Sequence, residues 1–494
     1  MQRGAAILLL IAGLAHASQQ AQGAGKSAAS SALSGCPPGA SQRPAGQFSH
    51  HIQQAIRKAG PGGMVRLSGE YTIDQTLELL DGSTLCSDEG ATLTWADKDR
   101  PGLMINATRA QATRIRSLVL DGRGIAIKGD GHAIEGNLIR NVQADSPANN
   151  RWGERHGVFI VDRGDHLTIR NNIFTQIVDT GIIGHNVHRS LIEANGFVDM
   201  HEGIHLFSVA NTQIRDNTGS RLRAMCIEIQ GDNLPGLVVE RNRFSKWHPA
   251  HSSKAYVMSV VAGLGAVIKD NVIEGSPDMS AGLEVGGDGP QVLDNTLWDA
   301  NLVIADAPDA LIKGNKLVRA SMIKDVNRVT RGRLLIEGNT IEDAPRVGLF
   351  ADEWGGYEQV TIRGNLIRKK LTESTIDFAA IVASPFRKQP VLIADNVIRF
   401  ELAGRKRPVR AVCFANAGYQ GNLQGMQVNG NTCDGAGVAL FGDSNSLGGH
   451  IGVRYQRNKL MNLQNTITGH TDGLQAIGNE LSGVAADHAK LKSP

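Results

Sequence analysis

One short pattern, an apolar strand followed by one or two polar residues, an Asn and a further apolar pair, repeats along most of the chain and limits its fold more than any other feature. Instances include EGNLIR, IRNNIF, RDNTG, ERNRF, KDNVI, LDNTL, EGNTI, RGNLI and ADNVI. The repeated residues are Asn137, Asn172, Asn195, Asn217, Asn242, Asn271, Asn295, Asn315, Asn339, Asn365, Asn396, Asn431, Asn458 and Asn479. Steps run from 20 to 35 residues with a mean of about 26, and the long steps mark inserted loops. A period of this size signals one supersecondary unit per repeat, stacked on its neighbours. A coil of twenty-odd residues with three short strands, whose Asn side chains stack rung over rung, meets the requirements of a parallel β-helix. Asn tolerates the left-handed turn conformation, and its amide both donates to and accepts from the Asn of adjacent coils. A leucine-rich horseshoe is excluded, because Leu at fixed places and helical stretches are both missing. Glycine agrees with a chain that turns often: 58 of 494 residues, without a Gly-X-Y period.

The opening of the repeat region is its most specific part. FSHHIQQAIRKAGPGGMVRLSGEYTIDQTLELLDGSTLCSDEGATL (48–93) joins an amphipathic helix at His51–Ala59 to GGMVRLSGEY and a first set of strands. In this the chain resembles the pectin-lyase-like right-handed β-helix superfamily, in its pectate-lyase, tailspike and epimerase branches, over about residues 45–485. The resemblance implies an all-β fold, a right-handed parallel β-helix solenoid with an N-terminal amphipathic helix cap. The cap has a physical reason, since an unpaired edge strand and an open coil core have to be covered. Residues 45–100 are then cap and first coils, 101–485 the β-helix and 486–494 a C-terminal tail. Activity is left open, because this one fold carries lyases, hydrolases, epimerases and phage receptor-binding proteins.

Residues 1–17, MQRGAAILLLIAGLAHA, combine a basic start, a short apolar run and a small-x-small cleavage site, as a secretory signal peptide does. Residues 18–44 read as a low-complexity linker. The expected location is secreted or periplasmic. No later run reaches about 18 apolar residues, so no membrane span is expected. Leu33-Ser34-Gly35-Cys36 resembles a lipoprotein box but lies some twenty residues past the apolar run. Among five Cys, Cys36 with Cys86 fits a staple of the cap and Cys413 with Cys433 a bridge between coils, although the sequence fixes neither pairing. Lys and Arg number 51 against 48 Asp and Glu, a net charge of +3, and no basic stripe or base-stacking motif is present. Nucleic acid is therefore excluded as a partner.

The strands that open successive coils align as GVFIV (157–161), GIIGH (181–185), GIHLF (203–207), CIEIQ (226–230), VMSVV (257–261) and GLEVG (282–286). Alternation points Ile204, Leu206, Ile227, Ile229, Leu283 and Val285 inward. It points His205, Glu228, Gln230 and Glu284 outward, together with His185 of the preceding coil. Eight of the 15 His fall between residues 156 and 251. His205 and Glu228 take equivalent places on adjacent coils, close enough to couple imidazole to carboxylate. The catalytic candidates are His185, His205, Glu228 and Lys254. Arg223, Gln230 and Glu284 are candidates for substrate contact, with Trp152 and Trp247 as platforms for sugar rings. An outward His on a solvated sheet, or a Trp that pins its own loop, would look the same. His201-Glu202-Gly203-Ile204-His205 satisfies H-E-x-x-H, but that zinc pattern works on a helix. In a strand its two His stand about 13 Å apart at about 3.3 Å per residue. No cofactor is required by the sequence, and a divalent metal drawing on His185 and His205 stays open.

Three functions follow. The first is a polysaccharide lyase that takes the C5 proton of a uronate-containing polymer, with Arg223 or a metal offsetting the uronate charge. The second is an inverting glycoside hydrolase using Glu228 and Glu284, two rungs or roughly 9.6 Å apart with Ser259 between them. The third is a non-catalytic glycan-binding, adhesin or export-scaffold rod. HGVFIVDRG (156–164) lacks the Asp-Pro-His that mannuronan epimerases carry there, and the polygalacturonase carboxylates and the calcium-binding Asp trio of pectate lyases are also missing. Monomer and trimer are equally compatible with the sequence.

Overall fold

The computed structural model describes residues 35–143, 152–245, 256–275, 282–324, 331–351, 357–372, 375, 377–383, 390–403, 410–416, 426–435, 439–443, 453–463, 465–467 and 475–483. The residues expected to form the signal peptide (1–17), most of those expected as linker (18–34), those expected as the C-terminal tail (486–494), Trp247 and Lys254 lie outside them. The chain divides into two compact units, residues 1–182 with 191–198 and residues 183–190 with 199–494. No helix among the described residues is long and apolar enough to cross a membrane.

In the first unit, α1 (Ser49–Ala59) buries Ile52, Ala55 and Ile56, the i, i+3, i+4 spacing that makes one apolar stripe. Gly60, at φ 72°, ends the helix by donating its N–H to the Ile56 carbonyl, and Arg57 and Lys58 sit in the last turn, where a cation suits the helix dipole. Gln53 ties the helix to the first coil by accepting from the Glu78 N–H at 2.8 Å and donating to the Glu78 carbonyl at 3.0 Å. Parallel strands then stack coil upon coil. One sheet pairs Ile115, Ile134, Ile169 and Ile192 in register, and a second pairs Leu120, Ile139, Phe174 and Phe197. All eight side chains are buried, and the Phe174 and Phe197 rings stack at 5.1 Å. Each such burial stabilises the coil by about 1.5–3 kcal/mol. A disulfide joins Cys36 to Cys86 in this unit.

The second unit repeats the plan with three parallel sheets. Its Asn ladder is unbroken from Asn217 to Asn479: each Asn amide donates to the Oδ1 of the next, at 2.8–3.1 Å. The same Oδ1 also accepts from the preceding Asn's backbone N–H, so one buried side chain satisfies several groups that the turn strips from the strand ladder. Asn137, Asn172 and Asn195 make the same steps within the first unit. The left-handed backbone, expected at the repeated Asn itself, lies one residue earlier instead. Asp216, Asp270, Asp294, Gly314, Gly338, Gly364, Asp395 and Gly430 carry the positive φ. Oδ1 can reach along the stack only from a residue already back on the strand path, which hands the strained position to Gly or Asp. The second disulfide, Cys413 with Cys433, lies in this unit, and Cys226 is buried.

Candidate functional site

Five strands of the second unit build the site: β1 (Glu202–Ala210), β2 (Ile227–Gln230), β3 (Met258–Val260), β4 (Leu283–Val285) and β5 (Leu302–Ile304). They pair in parallel with His205, Glu228, Ser259, Glu284 and Val303 in one register column. Their neighbours Ile204, Leu206, Ile227, Ile229, Met258, Val260, Leu283 and Val285 fill the core. Because side chains alternate across a strand, the polar column faces outward. Sequence alternation and structure agree on that face.

Glu202 is the functional candidate that alternation misses. In β1 both Gly203 and Ile204 are buried, so the in-out rhythm slips by one and Glu202 comes to the side of His205. Gly203 permits the slip, since a Cβ there would stand 2.4 Å from the Cys226 carbonyl oxygen. As a result His205 Nδ1 lies 3.3 Å from Glu202 Oε2 and 3.4 Å from Glu228 Oε2. His201 Nδ1 stands 3.9 Å from the other oxygen of Glu202. The H-E-x-x-H segment does hold a clue to the site, but through its Glu and second His, and with Glu228 of the next coil as the third member.

A second outward column runs beside the first. Phe207 pairs with Gln230, His185 stacks on the Phe207 ring at 4.6 Å, and His205 tilts against the same ring at 4.4 Å. Phe207 therefore packs against both imidazoles. Gln230 donates its amide N–H to Glu228 Oε1. Glu228 is only 5% exposed although it points away from the core. Burial, reinforced by the charges of Glu202 and Glu284, pushes its carboxyl above the usual carboxylate range, and the nearby His205 only partly offsets this. Glu284 is less buried and accepts a 2.7 Å hydrogen bond from the Ser259 hydroxyl.

The other candidates are dispersed. Arg223 is exposed on the turn before β2, its N–H bonded to the Met200 carbonyl. Arg221, two residues before it and not among those candidates, pairs with Asp199 at 2.5 and 2.6 Å. Trp152 begins a short helical turn, Trp152–Arg155, in the first unit. The eight clustered His are divided as well: His156 and His166 belong to the first unit, where His166 pairs with Asp130 at 3.0 Å, and His248 and His251 lie outside the described residues. One ligand atom each from Glu202, His205 and Glu228 lie within 4.8 Å of one another, an O, N, O set of the kind that holds a divalent transition metal.

Residues 102–250 match the family model of the right-handed β-helix region. The stacked parallel strands form a parallel β-helix, and residues 102–250 match it as right-handed. No curated protein matches the sequence. Among solved structures, the A-module of a mannuronan C-5 epimerase from Azotobacter vinelandii is similar over 71% of this chain and 95% of its own, at 16% identity and a TM-score of 0.45. A tailspike variant of E. coli bacteriophage HK620 in complex with a pentasaccharide is similar over 91% of this β-helix chain and 78% of its own, at 12% identity and a TM-score of 0.34. An alginate lyase from Paenibacillus sp. is similar over 54% and 94%, at 15% identity and a TM-score of 0.33. At such identities the likeness concerns fold, and the chemistry has to be argued from the residues.

Proposed function

We propose that this β-helix hydrolyses a glycosidic bond of a polysaccharide with inversion, using Glu228 as general acid and Glu284 as general base. The observation that carries this reading is a column of two unlike carboxyls. Glu228 is buried and biased towards its protonated form, while Glu284, two rungs along the same face, is more open and held by Ser259. Two rungs at about 4.8 Å place the strands roughly 9.6 Å apart, near the upper end of the separation of about 6.5–9.5 Å that admits a water between sugar and base. In the reaction the water oxygen bonds to the anomeric carbon as its proton passes to Glu284. The glycosidic oxygen leaves with the proton of Glu228, and solvent exchange restores both groups. Gln230 and His205 keep the Glu228 carboxyl in place between turnovers.

Elimination is the second reading, favoured by the position of His205 Nδ1 between two carboxylates, which would orient the ring as a base. It needs a cation for the uronate charge. Of the basic candidates named for that charge, Arg223 stands exposed before β2, and Lys254 lies outside the described residues.

The deciding experiment incubates the protein with neutral and uronate polysaccharides, with and without chelator, while reducing ends and ultraviolet absorbance of unsaturated uronates are followed together. Hydrolysis gives reducing ends without absorbance, the first-formed anomer is inverted, and Glu228→Gln and Glu284→Gln each lower kcat by about 10²–10⁴. Absorbance that vanishes in His205→Ala would transfer the assignment to elimination. Silence in both assays across the panel, together with retained glycan binding, would favour a non-catalytic role.

A further inference from the structure

Beside Glu284 the same outward face opens into a cleft of about 150 Å3, lined by Asn233, Val261, Gly286, Gly287, Asp288, Ala305 and Asp306. Its floor continues β3, β4 and β5: Val261, Gly286 and Ala305 come two residues after Ser259, Glu284 and Val303 and so share their face. We propose that this cleft binds one neutral sugar residue of the substrate chain, through hydroxyls that donate to Asp288 and Asp306 and accept from the Asn233 amide. The proposal rests on the hydrolytic reading of Glu228 and Glu284 and adds the class of sugar to it.

Four observations support the choice. The volume is well below the ~300–1,000 Å3 of pockets that enclose a whole small molecule, so it suits a single ring of a polymer lying along the face. The floor is Gly and Ala apart from Val261, which lets a ring approach the backbone. The polar groups match a hydroxyl, which both donates and accepts. Asp288 and Asp306 offer only acceptors when ionised, whereas Asn233 Oδ1 is already bonded to the Gly263 N–H at 3.1 Å, leaving its NH2 as the donor. The charge is wrong for a uronate. Among the described residues no Lys or Arg lines the cleft, and Arg331, 72% exposed, reaches Asp288 at 3.7 Å. A sugar carboxylate placed there would face Asp306 and Asp288 together, and like charges repel.

Binding tests this without requiring turnover. The protein carrying Glu228→Gln is titrated calorimetrically with neutral gluco-, galacto- and manno-hexasaccharides and with hexamers of galacturonate and mannuronate, in EDTA and again with calcium. At least one neutral hexasaccharide is expected to bind in EDTA more tightly than either uronate. Asp288→Asn and Asp306→Asn are each expected to weaken it about tenfold or more, the effect of losing a hydrogen bond to a charged group. Asn at residue 306 keeps a side chain that tolerates the positive φ found there, so the variant should fold, and a thermal melt checks it. The proposal is overturned if no neutral hexasaccharide binds, if uronates bind more tightly in EDTA, if both Asp variants leave neutral binding unchanged, or if only uronates bind and only with calcium. Full hydrolysis by the Glu228→Gln protein would instead sink the acid assignment and leave the cleft untouched.

Discussion

At the scale of single residues, Glu228 carries the most consequence, because one environment sets both its reactivity and its cost. The folded chain holds its proton to higher pH than the unfolded chain does. Between the ordinary carboxylate range and that raised value the native state therefore binds more protons than the unfolded one, and stability falls as pH rises through the window. Below the window the two states are protonated alike and the penalty is absent. Glu228→Gln removes the charge and keeps an oxygen for the Gln230 amide. Its melting temperature should equal or exceed that of the natural protein at neutral pH, and the two should converge as the pH falls below about 4.3. Thermal melts across pH check this, and a variant less stable at neutral pH than at acid pH relative to the natural protein would contradict it. The same sign fixes the alkaline limb of the hydrolytic profile. Activity should decline with rising pH as Glu228 loses its proton, at a value above the usual carboxylate range.

At the scale of the element, two positions show what the strand and the turn each need. Asn271 accepts from the Asn242 backbone and amide and donates to the Val239 carbonyl and to Asn295, all buried. Asn271→Ala would strand several of these groups at about 1–3 kcal/mol each, so a loss of roughly 3–5 kcal/mol is expected in urea unfolding. Asn462 makes an exposed side-chain bond to Asp434 from a left-handed backbone at φ 57°, and Asn462→Gly, which keeps that backbone, should cost no more than about 1 kcal/mol. Comparable losses in the two variants would mean that the ladder is not what holds the coils. Gly203→Ala brings a Cβ against the Cys226 carbonyl and must displace β1. It should lower kcat by reorienting His205 and Glu202 against Glu228, even where the melt shows the coil intact. These positions also show what the sequence discloses. The ladder was legible because a period of about 26 residues persists across insertions, and the outward column because alternation holds from β2 to β4. Glu202 was not, because a packing demand at one glycine shifts the alternation, and that demand comes from a carbonyl on the next coil. The left-handed residue was misplaced by one for a related reason: Asn is suited to that backbone, but the stack needs its side chain one position later.

At the scale of the whole molecule, a repeat fold makes stability local, since each coil touches only its neighbours and the total is close to a sum of coils and interfaces. The disulfides follow that logic. Cys36 with Cys86 spans 50 residues in the first unit and ties the segment before α1 to the strand Thr84–Ser87, beside the Arg66 and Asp88 pair at 2.7 Å. Cys413 with Cys433 spans 20 residues in the second unit. Loop-closure entropy gives about 4 kcal/mol for the longer loop and about 3 for the shorter. Replacing Cys36 and Cys86 by Ala should thus speed amide hydrogen exchange in the cap and first coils while leaving Asn271 and its neighbours at their natural protection. The Cys413 and Cys433 replacement should do the reverse, loosening the coils around β-strand residues 410–416 and 432–434 and sparing α1. Exchange followed by mass spectrometry on the two double variants reads both arms. If either replacement instead raised exchange uniformly through both units, the chain would unfold as one cooperative body, and the nearest-neighbour account would fail for this β-helix.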